Sequence, residues 1–373
     1  METLAIRAQA MFGDIYRHKN VFLTGHTGFK GSWLALWLSH LGANVSGYAL
    51  APPTEPSHFA LIGLDMPSVT GDVRDGEALA LALNKQKPDI IFHLAAQAIV
   101  RRSYREPLET VASNILGTAN LLEAARACPS VRAIVIVTSD KCYENREWPW
   151  GYREIDRLGG YDPYSASKAC AEILTRSWRD SFFNLRDYGK THGVLVASAR
   201  AGNVIGGGDW GADRLIPDIM RAVAQSRKVV IRNPRAVRPW QHVLEPLSGY
   251  LALGQKLLDG QKEFADAWNF GPADEGHLSV GDLVRKIKTI WPKIDYEIQQ
   301  DPAAPHEAGL LRLDCSKARL TLPWTPAWSG QDAIGNTAGW YRMFYESGKI
   351  DSAGNLASYI KAARDKGLAW TKE

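Results

Sequence analysis

Cysteine is scarce: four in 373 residues, Cys128, Cys142, Cys170 and Cys315, with no CxxC pair among them. Their spacing fits no zinc template, and so few in so long a chain make no disulfide framework. A reducing, cytoplasmic setting is therefore expected, and no metal site. No run approaches ~18 uninterrupted apolar residues, so no transmembrane helix is expected. An excess of one charge is also missing. The 44 Lys and Arg face 40 Asp and Glu, and no basic run is present that could track a phosphate backbone. Neither nucleic acid nor a membrane is expected as a partner. The first twenty residues carry Glu2 and Asp14 and no apolar stretch before a small-residue cleavage site, so no secretory signal is read there. Internal repeats and low-complexity tracts are lacking too. What remains, 45% hydrophobic and 23% charged, is an ordinary globular balance over a length that suits two domains.

Apolar runs and helical faces alternate along the first half. Asn20–Thr24 is a short buried run ending at Gly25, and Ser32–Leu41 puts Leu34, Leu38 and Leu41 on one helical face. Further strands are expected at 45–50, at Val69–Thr70, at 89–95, at 131–137 and at 193–199. Helices are expected at 77–86, 108–127 and 162–178. The run VRAIVIV is apolar throughout, as suits a strand covered on both faces. The alternation predicts an α/β fold, a Rossmann-type doubly wound parallel sheet. Past residue 200 the regularity fades and Pro and Trp become frequent. We read residues 1–200 as the dinucleotide-binding domain, with a return segment at about 237–262, and most of 201–373 as a smaller mixed α/β substrate domain.

Three local patterns carry chemistry. Thr24-Gly25-His26-Thr27-Gly28-Phe29-Lys30-Gly31 sits where a strand passes into a helix. Gly25 allows the tight turn, Gly28 lets main chain approach a pyrophosphate, and Gly31 permits close helix–strand packing, with Thr27, Phe29 and Lys30 between them. Free N–H groups at the helix start suit phosphate oxygens. His26 reads as structural. The second strand ends Tyr48-Ala49-Leu50, with neither an acid nor a nearby Arg, so the usual ribose signal does not choose between NAD and NADP. Asp72 and Val73, after the third strand, are candidates for the adenine edge, with helix capping by Asp72 or Asp75 as the alternative. Ala95, closing the fourth strand, is also placed at the cofactor.

Tyr164-Ser165-Ala166-Ser167-Lys168 places a phenol and an ammonium four residues apart on one helical face. A cation there should lower the Tyr pKa from about 10 towards neutrality, making a base for a sugar hydroxyl. Thr138-Ser139-Asp140-Lys141 follows the fifth strand, at the carboxyl rim where this fold binds ligands. Ser139 can hydrogen-bond an oxygen being oxidised, and Asp140 and Lys141 form an acid and base pair; an ordinary solvated turn is the alternative.

With TGHTGFKG, HLAAQAIVRRSY, VTSDKCY, YSASK, NVIGGGDWGADRLIPDI and RPWQHV together, the chain resembles the extended short-chain dehydrogenase/reductase superfamily, and within it the CDP-glucose 4,6-dehydratase branch. The match runs from about residue 20 to 320. Asp-Lys after the fifth strand departs from the Asp-Glu of dTDP-glucose dehydratases and is what the CDP-glucose branch shows. The resemblance implies NAD as a recycled cofactor and a hydro-lyase acting on a nucleotide-sugar. Tyr164 would be the base, Lys168 would tune it and hold the nicotinamide ribose, so that both also count as cofactor-binding, Ser139 would orient the sugar oxygen, Asp140 would be the acid on the departing hydroxyl, and Lys141 the base at C5 or its electrostatic support. Asn203, Arg214, Arg232 and Arg238 become candidates for the substrate's pyrophosphate, and Gln97 and Ser103 for sugar hydroxyls. Trp240 is a further candidate near the base. A homodimer, or a tetramer built from it, is implied through helices 108–127 and 162–178. A second match, His306-Glu307-Ala308 with Leu313-Asp314-Cys315-Ser316-Lys317-Ala318, has folding as its default reading. Another nucleotide-sugar dehydratase, a 4-epimerase and a non-catalytic NAD-binding protein are the alternatives. Asp140 and Lys141 argue against the epimerase, and the presence of both Tyr164 and Lys168 against loss of catalysis.

Overall fold

The computed structural model describes residues 11–231, 233–272, 277–299 and 310–372. Seven strands form the central sheet: β1 (Asn20–Thr24), β2 (Asn44–Ala49), β3 (Ser68–Thr70), β4 (Ile90–His93), β5 (Ala133–Val137), β6 (Leu195–Ala201) and β7 (Ala267–Phe270). Their spatial order is β7-β6-β5-β4-β1-β2-β3, and every pairing is parallel. The order reverses between β1 and β4, which places the crevice of a doubly wound sheet above Thr24 and His93.

The strands are apolar because both faces are covered. Val21 and Leu23 pack with Trp33, Trp37 and Leu38 of α1 (Phe29–His40), whereas Phe22 between them packs on the opposite face with Leu79 and Leu121. Those two leucines come from α2 (Gly76–Gln86) and α3 (Gly117–Arg126). β5 alternates likewise: Val135 and Val137 face one layer, Ile134 and Ile136 the other.

The expected helix at 108–127 is three joined pieces, Pro107–Val111, a wide π turn at Ala112–Leu116, and α3. The wide turn carries Asn114 inward. Its amide donates to the Gln97 carbonyl at 2.9 Å and to the Ser167 hydroxyl at 2.8 Å, and its carbonyl accepts from the Gln97 N–H at 2.8 Å. A regular helix would not present that side chain so, and apolar periodicity cannot reveal the extra residue.

The second half holds more regular structure than its Pro and Trp suggest. Helices span Leu215–Ala224, α5 (Leu244–Leu258), Val280–Ile290, Gly330–Ser347 and Ser352–Asp365. α5 packs under the central sheet through Leu244, Leu247, Tyr250 and Leu251, and β7 adds to the sheet edge beside β6. A separate core of Ile216, Ile219, Trp240, Leu283, Ile287 and Trp340 supports three small two-stranded pairs, one antiparallel and two parallel. Among the described residues, no helix is long and apolar enough to cross a membrane.

Candidate active site

The glycine loop turns between β1 and α1. Gly25 has φ +75°, and a Cβ there would lie 2.7 Å from the Ala95 nitrogen; a Cβ on Gly31 would lie 2.1 Å from the Gly25 carbonyl oxygen. Both positions therefore need glycine. Gly28 is the N-cap of α1 and offers no side chain to its first N–H groups, which leaves them for an anion. His26 is buried, its Nε2 2.7 Å from the Ser68 hydroxyl, and its ring fills the space beside Gly47. Burial holds that imidazole down to about 4, so it is a neutral wedge.

A cleft of about 1140 Å³ opens above this loop and between the two halves of the chain. That exceeds the ~300–1,000 Å³ of a pocket for one small molecule and leaves room for a dinucleotide beside a second ligand. Gly25, Thr27, Gly28, Phe29, Lys30 and Gly31 line one end. Asp72, Val73 and Ala95 line it as well. The Asp72 carboxylate accepts from the Arg74 N–H at 2.9 Å and its guanidinium at 2.8 Å, and Asp75, not Asp72, caps α2. The uncapped α1 terminus and the Cβ-free cradle together fit a dinucleotide's diphosphate.

The catalytic candidates converge on the same cleft. α4 (Pro163–Ser181) starts at Asp162, whose side chain accepts from the Ser165 N–H at 2.9 Å and its hydroxyl at 2.6 Å, with Pro163 in the first turn. This start sets Tyr164 and Lys168 on the cleft wall, both buried. A tight turn at Asp140–Cys142 follows β5. The Ser139 hydroxyl donates to Asp140 Oδ1 at 3.0 Å and accepts from the Lys141 N–H at 3.2 Å, fixing the turn. A Cβ on Gly202 would lie 2.9 Å from Asp140 Oδ2, so main chain approaches the carboxylate closely there.

One electrostatic expectation is overturned. Lys168 does not pull Tyr164 towards neutrality; burial pushes the phenol up to about 12, and the Ser139 hydroxyl and the Arg214 guanidinium only partly offset it. The same burial lowers Lys168 to about 8, against which Glu172 raises it. The Lys168 ammonium donates to the Val137 carbonyl at 3.4 Å. Asp140 is raised, first by burial, while Lys141, Ser139 and Arg238 lower it. Lys30, also in the cleft, is brought down to about 7 by burial and by the charges of Lys168 and Arg214.

The pyrophosphate candidates divide. Asn203, Arg214 and Arg238 line the cleft, with Arg214 paired to Asp209 at 2.9 Å; Arg232 lies outside the described residues, as does His306-Glu307-Ala308. Gln97 lines the cleft, but its amide is engaged with Ile99 and Thr110 and shapes its own loop. Ser103 departs from expectation. It is fully buried, donates to the Val100 carbonyl at 2.7 Å and is not part of the cleft wall, because Val100–Arg105 is a short helix that turns this residue inward. Among the described residues, the tryptophans that border the cleft are Trp210 and Trp240, and the Trp240 indole donates to the Leu278 carbonyl. Missed from the sequence were Asn114, Glu172 and Arg200, buried polar residues whose partners lie far away in the chain.

Comparison with known proteins adds four findings. The family model described as GDP-mannose 4,6 dehydratase matches residues 22–337. A CDP-glucose 4,6-dehydratase of Salmonella typhimurium is 49% identical over 353 residues, covering 94% of this chain and 98% of that protein. Among solved structures, a UDP-glucose 4-epimerase of Thermotoga maritima with UDP-glucose superposes with a TM-score of 0.74 at 22% identity, covering 88% of this chain and 100% of that one. A dTDP-glucose 4,6-dehydratase of Bacillus anthracis in complex with NAD gives 0.71 at 20% identity, covering 88% of this chain and 98% of that one.

Proposed function

The chain belongs to the GDP-mannose 4,6-dehydratase family, and we propose that within it this enzyme converts CDP-D-glucose to CDP-4-keto-6-deoxy-D-glucose with NAD. The observation that carries the reading is Asp140. Its buried carboxyl accepts from the Ser139 hydroxyl at 3.0 Å and lines the cleft that Tyr164 also lines, and burial raises its proton affinity. An acid for elimination thus stands beside a base for oxidation. The choice of CDP rests on the relative from Salmonella.

Gly25, Gly28, Gly31 and the start of α1 would hold the cofactor's diphosphate, Asp72 and Val73 its adenosine end, and Lys168 its nicotinamide ribose. When bound, NAD supplies an acceptor for hydride from C4 and a donor to C6, so the net reaction is loss of water. Tyr164 Oη takes the proton from the sugar's 4-hydroxyl, which the Ser139 hydroxyl orients. The Ser139 hydroxyl and the Arg214 guanidinium favour the phenolate as the proton leaves, while Lys168, at about 8, is still mostly an ammonium at neutral pH. Beside a 4-ketone the C5 proton is acidic. Lys141 Nζ removes it while Asp140 protonates the hydroxyl departing from C6. Arg214, Arg238, Arg232 and Asn203 would bind the nucleotide's diphosphate, the guanidinium forks matching its oxygens.

The division at about residue 200, with α5 returning to the sheet, supports a cofactor half and a substrate half. A cytoplasmic placement rests on the unpaired cysteines. A homodimer goes with the same reading. Leu108, Val111 and Leu116 on one helical segment and Ile173 on α4 are exposed apolar side chains on the elements expected to pair. The test is direct: incubate the protein with NAD and, in parallel, CDP-glucose, dTDP-glucose, UDP-glucose and GDP-mannose, then look for loss of one water by mass spectrometry. Loss from CDP-glucose is expected, and no loss from any of the four removes the dehydratase reading. Ile173→Glu with Leu108→Glu should shift the sedimenting species towards monomer.

A further inference from the structure

We propose that the buried ion pair Glu172–Arg200 is a clamp that positions the catalytic turn Ser139–Cys142 by gripping the residues on either side of it. The inference goes beyond the dehydratase reading in assigning a role to residues that line no part of the cleft, and it rests on that reading for the turn's chemistry.

The geometry is specific. Glu172 lies on the α4 face of Tyr164 and Lys168, two turns past the phenol. Its carboxylate accepts from the Thr138 hydroxyl, from the Ser198 hydroxyl at 2.6 Å and from the Arg200 guanidinium at 2.8 Å. The other arm of Arg200 donates to the Tyr143 hydroxyl at 2.8 Å and to the Glu154 carbonyl at 3.1 Å. The Tyr143 hydroxyl in turn donates to Asn269 Oδ1 at 2.8 Å. Thr138 immediately precedes Ser139, and Tyr143 immediately follows Cys142. The two ends of the turn are thus tied to the two halves of one ion pair, whose side chains are 2% and 4% exposed.

So buried a pair is costly to desolvate and hard to explain as a stabilising device alone. Its value lies in position: α4, β5 and β6 meet at one point, and the turn keeps its register relative to Tyr164. Displacing a reacting group by about 1 Å costs on the order of 10²-fold in rate. Glu172 also supports the charge of Lys168. The other groups facing that ammonium are Cys142 of the turn, whose buried thiol stays protonated, His93 of β4 and Lys30 of α1.

The experiment compares Thr138→Val, Thr138→Ser, Tyr143→Phe and Glu172→Gln with the native chain, each loaded with NAD. Thr138→Val and Tyr143→Phe should lower kcat for CDP-glucose about 10- to 100-fold. Because Thr138 and Tyr143 border the cleft, a direct role in binding would instead raise KM; KM is expected to stay within about twofold. Amide exchange in a peptide covering 139–143 should quicken at least about tenfold in Thr138→Val and return to native in Thr138→Ser. In Glu172→Gln the basic limb of the pH–rate profile should move to lower pH, since the carboxylate that helps Lys168 keep its proton is gone. Native kcat and native exchange in Thr138→Val overturn the clamp, as does failure of the Ser variant to restore either. A basic limb that stays in place in Glu172→Gln overturns the electrostatic part. If the native chain releases no water from CDP-glucose, the dehydratase reading fails while the exchange measurement still decides the clamp.

Discussion

Lys168 holds the Val137 carbonyl with its ammonium, 3.4 Å away, while Tyr164, one turn earlier on the same helix, has its phenol pushed up to about 12. The lysine anchors α4 to the end of β5 as well as lending charge. Proton removal from the sugar is therefore helped by the groups that lower the phenol, the Ser139 hydroxyl and the Arg214 guanidinium, and not by a phenolate present beforehand.

Tyr164→Phe keeps the ring and deletes the proton acceptor. On mixing with NAD and CDP-glucose, the absorbance of reduced nicotinamide should not appear, and turnover should fall on the order of 10²- to 10⁴-fold with the circular dichroism unchanged. Normal reduction would place the base elsewhere.

Asp140→Asn should let the first oxidation proceed and slow the loss of water by a similar factor. Reduced nicotinamide would then accumulate transiently where the native enzyme shows little. Single-turnover absorbance against mass-detected product separates the two steps. Elimination at the native rate would assign the acid to another group.

Lys141→Met should suppress solvent-deuterium incorporation at C5 of the product, since the candidate proton carrier is gone. An isotope content equal to that of native product would leave Lys141 with a positioning role only.

Glu245 gives a pH effect on stability away from the cleft. Its carboxylate accepts from the main-chain N–H groups of Ala327 and Trp328 at 3.0 and 2.7 Å and from the Tyr359 hydroxyl, yet burial still raises it to about 7. The folded chain binds the proton more tightly than the unfolded chain, whose carboxyl titrates near 4.5. That contribution is complete below the unfolded value and is lost as pH rises through about 7. The stability of the native chain relative to Glu245→Gln, measured by denaturant unfolding, should therefore decline between pH 5 and pH 8. A constant difference would mean that the carboxyl is not titrating in this window.

The sequence by itself determined the alternating architecture and the identity of the chemistry. Strand β5 is unbroken Val, Ile and Ala because two helical layers cover it, so its period and its placement are both local. The glycine loop, Tyr164 with Lys168, and Ser139 to Lys141 are contiguous patterns whose spacing reports a strand end or a helix face. Tertiary structure decided everything that depends on distant partners. Ser103 looked free to reach a sugar and is turned into its own helix. The π turn at Asn114 exists because Gln97 and Ser167 are there to receive it. Glu172 and Arg200 read as ordinary residues of a helix and a strand until the sheet brings them to 2.8 Å. Proton affinities at the site follow from burial, and burial is a property of the packed chain, which no local spacing of a phenol and an amine can encode.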